Sequence, residues 1–357
     1  MSRKVMSLKN LVRPEIHNLP IINIPESIPS TIRLNANEVP TSPWTSLDHY
    51  IPNRYPPVRP DSLIKPISKL LEVEEDQLLI SRGSTEAIDI IIRTFCNPNK
   101  DEIMICPPTF DMYEFFAISN SIQTHEIPLK KAEDFKVDIQ RLIESMQGCT
   151  KIIFLASPNN PTGNSLTKDE IILLLEEVNN RAIVVIDEAY IEFSPIDSIA
   201  SEIENYNNLI ILRTLSKAFS LAGLRCGAMI ASSDCINFLK RIISPFCFAT
   251  PVINLIRQAI ESNNANDAKK QIQFIAKERK RIMKDLIEIS CVKNVWQSDG
   301  NFLLTEFKDL DKTSTLLQKA GIIIGCPKHK ELENCARVTI SNEQQNNKFL
   351  EELKKLT

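Results

Sequence analysis

Lys217 stands in the segment R-T-L-S-K-A-F-S-L-A-G-L-R (213 to 225), directly behind an apolar run that ends near Leu212. A lysine on a turn at the C-terminal edge of a parallel sheet lies where α/β enzymes bind ligands, and its amine can form an imine with an aldehyde. Thr214 and Ser216 add hydroxyls and Arg225 adds a fork of donors, a set suited to a phosphate dianion. A second segment, A-I-V-V-I-D-E-A-Y (182 to 190), predicts a buried central strand with the carboxylate of Asp187 at its C-terminal end. A buried ion is costly without a partner, and a protonated pyridine nitrogen is one that would serve. Such a pair keeps the ring cationic, so that it accepts the electrons of a substrate carbanion. Tyr190, three residues on, is within reach of a ring hydroxyl and would hold the pKa of an imine low.

Three further segments have the same setting. S-P-N-N-P-T-G (157 to 163) follows an apolar run ending at Leu155 and Ala156, and its tight turn presents the amide of Asn160. S-R-G-S-T-E-A (81 to 87) is a glycine turn from strand into helix, whose free amides and positive dipole end form an anion site with Ser84 and Thr85. P-P-T-F-D-M-Y (107 to 113) brings Phe110 to a position where its ring can stack on a flat cofactor. Each has a plain alternative: a loop lysine, a turn-capping aspartate, an ordinary turn, a core phenylalanine. Their coincidence argues otherwise, because all five follow predicted strands of one sheet, at the rim where such folds put their sites.

The elements that must carry these residues are legible as alternating apolar and amphipathic stretches after Pro66, the pattern of βαβ units and a mostly parallel sheet. Strands are expected at 77 to 80, 102 to 105, 122 to 127, 151 to 155, 182 to 186, 209 to 213 and 227 to 230, a seven-stranded α/β sheet. Helices are expected at 84 to 95, 138 to 146 and 168 to 179, the last opened by Thr167 with Glu170 in a capping box. Residues 1 to 60, rich in Pro, Asn and Ser, read as an arm. Residues 61 to 262 form the large domain of this reading, and 263 to 357 a smaller α+β domain. The smaller one begins with a basic helix from 264 to 290 and continues in strands near 291 to 296, 302 to 306 and 336 to 340. A chain of 357 residues exceeds what one core usually serves, in keeping with two domains.

Composition narrows the function. A net charge of -3 gives no basic surface for nucleic acid, and the Lys/Arg-rich helix is interspersed with Gln, Glu and Asp, as a solvated helix is. No apolar run approaches the roughly 18 residues that span a bilayer, and Met1 to Asn10 lack the apolar core of a secretory signal. A cytoplasmic protein is expected. Nine scattered cysteines read as reduced thiols, and four distant histidines give no metal-ligand spacing, so no metal is expected.

Assembled, these motifs resemble the fold-type I pyridoxal-phosphate (PLP) enzymes of the aspartate aminotransferase superfamily, and within it the histidinol-phosphate aminotransferases. The resemblance runs nearly end to end, through L-N-A-N-E (34 to 38), N-R-Y-P (53 to 56), C-P-P-T (106 to 109), D-E-A-Y-I-E-F (187 to 193) and A-R-V-T-I (336 to 340) besides the segments above. It implies a large PLP-binding domain with a smaller one beside it, Lys217 as covalent anchor and proton carrier, and transamination of histidinol phosphate with 2-oxoglutarate in histidine biosynthesis. It also implies a homodimer with composite sites, in which Tyr55 reaches the cofactor phosphate of the other subunit. Asn37, Asn301 and Arg337 are the implied substrate contacts. Three positions depart from the family pattern: Phe110 replaces a tyrosine over the ring, Ile21 and Ile22 stand where a substrate-touching tyrosine is usual, and Gly325 takes the place of a phosphate-binding arginine. Lys328 and Lys330 are the candidate substitutes for that arginine. An aromatic amino-acid aminotransferase, favoured by the lost arginine, and a PLP decarboxylase of a phosphorylated amino acid are the competing readings.

Overall fold

Short segments of four to seven residues, most of them apolar, become the strands of a computed structural model that describes residues 8–22, 35–43, 52–261 and 265–356. The first seven strands are β1 (Leu78–Ser81), β2 (Glu102–Ile105), β3 (Gln123–Glu126), β4 (Thr150–Ala156), β5 (Ile183–Asp187), β6 (Leu209–Thr214) and β7 (Gly227–Ala231). They form one sheet in the order β1-β7-β6-β5-β4-β2-β3, in which β7 runs antiparallel to both of its neighbours and the other pairings are parallel. The β6-to-β7 connection, residues 215 to 226, holds no crossover α-helix, so the chain returns antiparallel.

Central strands bury both faces, which is why β4, β5 and β6 read as unbroken apolar runs. On β4 and β5, Ile153, Leu155, Val184 and Ile186 face one apolar layer, while Ile152, Phe154, Ile183 and Val185 face the other. The first layer is completed by α1 (Ile64–Leu71), α4 (Ile139–Glu144), α5 (Lys168–Glu177) and α7 (Thr250–Glu261), the second by α2 (Gly83–Phe95), α3 (Met112–Ser119) and α6 (Ser233–Leu239). Thr167 and Glu170 make the expected capping box, and the helix ends at Glu177, short of the expected 179. The N-terminal segment adds Leu8, Leu11, Val12 and Ile16 to the second layer.

A second, antiparallel sheet has the order β10-β9-β8, with β8 (Val292–Val295), β9 (Phe302–Phe307) and β10 (Cys335–Thr339). Its core is closed by α8 (Ala265–Ile287), α9 (Leu310–Lys319) and α10 (Glu343–Lys354) through Ile282, Leu286, Leu317 and Phe349. The two halves meet at the turn after β4, where the Asp299 N–H donates to the Gly163 carbonyl at 2.7 Å and Ser165 Oγ donates to the Asp299 carboxylate at 2.8 Å. Among the described residues no helix is long and apolar enough to cross a membrane.

Candidate active site

Five strand ends, those of β1, β2, β4, β5 and β6, open on one cleft of about 740 Å³. Its floor is the end of β5. Asp187 is 4% exposed; its Oδ1 accepts from the Ala189 N–H at 3.1 Å and its Oδ2 from the Tyr113 hydroxyl at 2.8 Å. Burial pushes this carboxyl up from its ordinary 3.8 to about 6, against the two hydrogen bonds and the charge of Lys217. Among the described residues no lysine or arginine forms an ion pair with it, so the cleft contains a buried carboxylate without a cationic contact.

Lys217 enters from the loop after β6, its Nζ 5.5 Å from the centre of the Tyr190 ring. The surrounding protein lowers its pKa by desolvation, and the guanidiniums of Arg337 and Arg225 act in the same direction. Tyr190 is buried edge-on against Phe302, with ring centres 5.1 Å apart, and its hydroxyl is pushed up to about 12 by burial. Phe110 lines the wall beneath α3, edge-on to Tyr113 at 5.7 Å.

The anion cradle lies at the opposite end. Gly83, Ser84 and Thr85 open α2, whose preceding residue gives no side-chain cap, so the first-turn amides stay available to a ligand. Arg225 projects over them from a left-handed backbone (φ 54°), and its Nη1 donates to Ser216 Oγ at 3.4 Å. Close approach here depends on Gly227, where a Cβ would lie 2.6 Å from Gly83 C and Ser84 N. Thr214 Oγ1 accepts from the Ser216 N–H at 3.1 Å and donates to the Cys226 carbonyl at 3.4 Å, bracing the loop that carries Lys217.

In the turn after β4 the two asparagines divide their work. Asn159 is buried, donating to the Pro108 carbonyl at 3.0 Å and to Thr162 Oγ1 at 2.7 Å, which ties two strand-end loops together. Asn160 lines the cleft, with Oδ1 accepting from the guanidinium of Arg337. Arg337 comes from β10, its backbone bridged to Gly325 on both sides. A Cβ at Gly325 would lie 3.5 Å from Arg337 Nη2, so a side chain there would sit against that guanidinium.

Eleven of the fourteen residues singled out from the sequence therefore line one cleft, and Tyr55, Asn37 and Asn301 do not. Tyr55 is 52% exposed, its ring 4.9 Å from Phe246 and its N–H donating to Glu38 Oε1 at 2.7 Å. Asn37 is exposed with φ 54°, and Asn301 is half-buried, its carbonyl accepting from the Ile340 N–H at 2.9 Å. Lys328 and Lys330 are exposed and do not line the cleft either. Ile22 is exposed at 47%, and Leu34 of the L-N-A-N-E segment lies outside the described residues. Sequence reasoning passed over Tyr113, although it closes the quoted P-P-T-F-D-M-Y segment three residues after Phe110, a spacing that puts both on one side of a helical turn.

The donor set fits PLP: an amine for its aldehyde, a buried carboxylate for its ring nitrogen, an aromatic wall for its ring and a cradle for its phosphate. The chain is 41% identical over 327 residues to histidinol-phosphate aminotransferase 1 of Pasteurella multocida, covering 91% of this chain and 92% of that one. It is 35% identical over 356 residues to the histidinol-phosphate aminotransferase of Salmonella arizonae, covering 99% and 98%. The crystal structure of the histidinol-phosphate aminotransferase from Clostridium acetobutylicum superposes with a TM-score of 0.76 at 27% identity, over 85% of this chain and 90% of that one. A model of the family described as aminotransferase class I and II matches residues 30–353. Carrying that match over nearly its whole length, with the amine, carboxylate and anion cradle on one rim, the chain belongs to the class I and II aminotransferases and is a PLP-dependent aminotransferase of fold type I.

Proposed function

We propose that this enzyme transfers the amino group of histidinol phosphate to 2-oxoglutarate, in histidine biosynthesis. The observation that carries the reading is a single cleft faced by Lys217 and Asp187 from the large sheet and by Arg337 from the small one. Pyridoxal phosphate supplies an aldehyde for covalent attachment and a cationic ring that accepts the electron pair left when the substrate Cα–H bond breaks. Lys217 is the anchor. Its depressed pKa favours the neutral amine, so that Nζ would serve both as the anchor and as the base at the substrate Cα.

Asp187 would keep the ring nitrogen protonated, while the Asn160 amide and the Tyr190 hydroxyl would bind the ring oxygen. The start of α2, with Ser84 and Thr85, joins Ser216 and Arg225 around the phosphate, and Thr214 holds the loop between them. Phe110 would stack on the ring. Arg337 grips the anionic end of the substrate, with Asn37 and Asn301 as further substrate contacts, and Tyr55 serves the cofactor of a second subunit. Residues 61 to 262 are the PLP-binding domain of this reading, 263 to 357 the small domain and 1 to 60 the arm.

Gly325 favours a second reading, an aromatic amino-acid donor, because a doubly charged phosphate would have Arg337 without the usual neighbour. Losing one charge-assisted hydrogen bond weakens a complex roughly ten- to a hundredfold. Kinetics with histidinol phosphate and with phenylalanine as donors, 2-oxoglutarate being the acceptor, decide between them. We expect the larger kcat/KM for histidinol phosphate, and a larger value for phenylalanine would overturn the substrate assignment.

A further inference from the structure

Tyr113 is fully buried at the start of α3, where its ring stacks on Phe154 of β4 at 4.9 Å with an interplanar angle of 11°. Phe110 meets it edge-on from the cleft side at 5.7 Å. Two packed rings leave the phenol little freedom, and its hydroxyl donates to Asp187 Oδ2 at 2.8 Å. Burial and the adjacent carboxylate raise the Tyr113 pKa well above its ordinary 10, so the phenol keeps its proton and remains a donor. We infer that Tyr113 is a positioning residue that holds Asp187 ionised and aimed at the nitrogen of the cofactor ring, so that it acts on the reaction only through that carboxylate. The inference rests on the assignment of Asp187 to the ring nitrogen.

The other charged or titratable groups facing Asp187 do different work. Lys217, from the loop after β6, favours the ionised carboxylate through its charge but must change partners during turnover. Tyr190, just beyond β5, makes no hydrogen bond to Asp187 among the described residues, and Arg337 of β10 donates through Nη1 to Asn160 and not to Asp187. The Ala189 N–H fixes Oδ1 alone. Among the described residues, the Tyr113 hydroxyl is the side-chain donor to Oδ2, and its ring is fixed by stacking on Phe154. A hydrogen bond to the charged form of an acid favours that form, so removing this donor shifts ionisation of Asp187 to higher pH.

The test compares the binding of PLP with that of its carbocyclic analogue, in which C–H replaces the ring nitrogen, to wild-type protein and Tyr113→Phe over pH 5 to 9. We expect Tyr113→Phe to lower the preference for PLP over the analogue by about tenfold, the scale of one hydrogen bond to a charged group. The pH at which that preference sets in should move upward. Equal losses for both ligands, or an unmoved pH profile, would make Tyr113 a packing residue and overturn the inference. A wild-type protein that did not prefer PLP over the analogue would instead overturn the role of Asp187 itself. Should the variant not fold, infrared difference spectra between wild type and Asp187→Asn at pH 8 give a second reading. A phenol C–O band that changes together with the carboxylate band, the mark of a tyrosine bonded to Asp187, supports the inference, and a carboxylate change with no accompanying tyrosine change overturns it.

Discussion

At the scale of single residues the cleft is defined by a carboxylate held under strain of solvation. Asp187 titrates at about 6 in the folded chain against an ordinary 3.8, because burial disfavours its charge more than two donors and one nearby lysine favour it. The sign follows: the folded protein holds this proton more tightly than the unfolded one. The cofactor-free fold therefore suffers no penalty below about pH 4 and a growing one as pH rises through 6. Asp187→Asn removes the titration while keeping an oxygen for Tyr113. Urea unfolding of the cofactor-free proteins should show wild type losing stability relative to Asp187→Asn between pH 4 and 7, by on the order of 3 kcal/mol at about 1.36 kcal/mol per pKa unit. A difference that stays flat with pH would mean that the carboxylate has a compensating partner in the folded chain. The same side chain was legible in the sequence as the last residue of an apolar run. Tyr113 was not, because a tyrosine in the mostly apolar M-Y-E-F-F-A-I-S segment looks like core until its hydroxyl partner, 74 residues away, is in place.

At the scale of elements, what was legible is what periodicity and turn chemistry encode. All ten expected strands are found within two residues of their bounds, and the central ones, buried on both faces, leave the clearest apolar runs. The direction of β7 was not legible, because it depends on what the chain does between 215 and 226 and not on the strand itself. Neither was the contact that makes the anion cradle: Gly227 of β7 lies opposite Ser81 of β1 and beneath the first turn of α2. Gly227→Ala would put a methyl group 2.6 Å from the Gly83 and Ser84 backbone, forcing the helix start away from Arg225. Overpacking of this kind costs about 1 to 3 kcal/mol. We expect a lower Tm and a loss of affinity for PLP that exceeds the loss for pyridoxal, which lacks the phosphate. Equal losses for the two ligands in fluorescence titrations would mean that the cradle does not read the phosphate.

At the scale of the whole molecule, the proposal of a shared site turns on Tyr55, which does not line the cleft of its own chain. Tyr55 is anchored through its backbone to Glu38, a carboxylate that also accepts from Arg54 at 2.8 Å, while the residue itself is 52% exposed. A tyrosine held in place and turned away from its own cleft is what a shared site requires, and in a two-fold dimer each arm would complete the partner's cleft as its own is completed in return. Mixing separately purified Tyr55→Phe and Lys217→Ala subunits tests this arrangement. Each parent homodimer carries two impaired sites. A heterodimer would concentrate both changes in one site and leave the other with neither, so activity should rise towards a quarter of wild type in an equal, fully exchanged mixture, where half the dimers are mixed and half of their sites are intact. Activity that never exceeds the mean of the two parents would confine each site to one chain and remove Tyr55 from the cofactor.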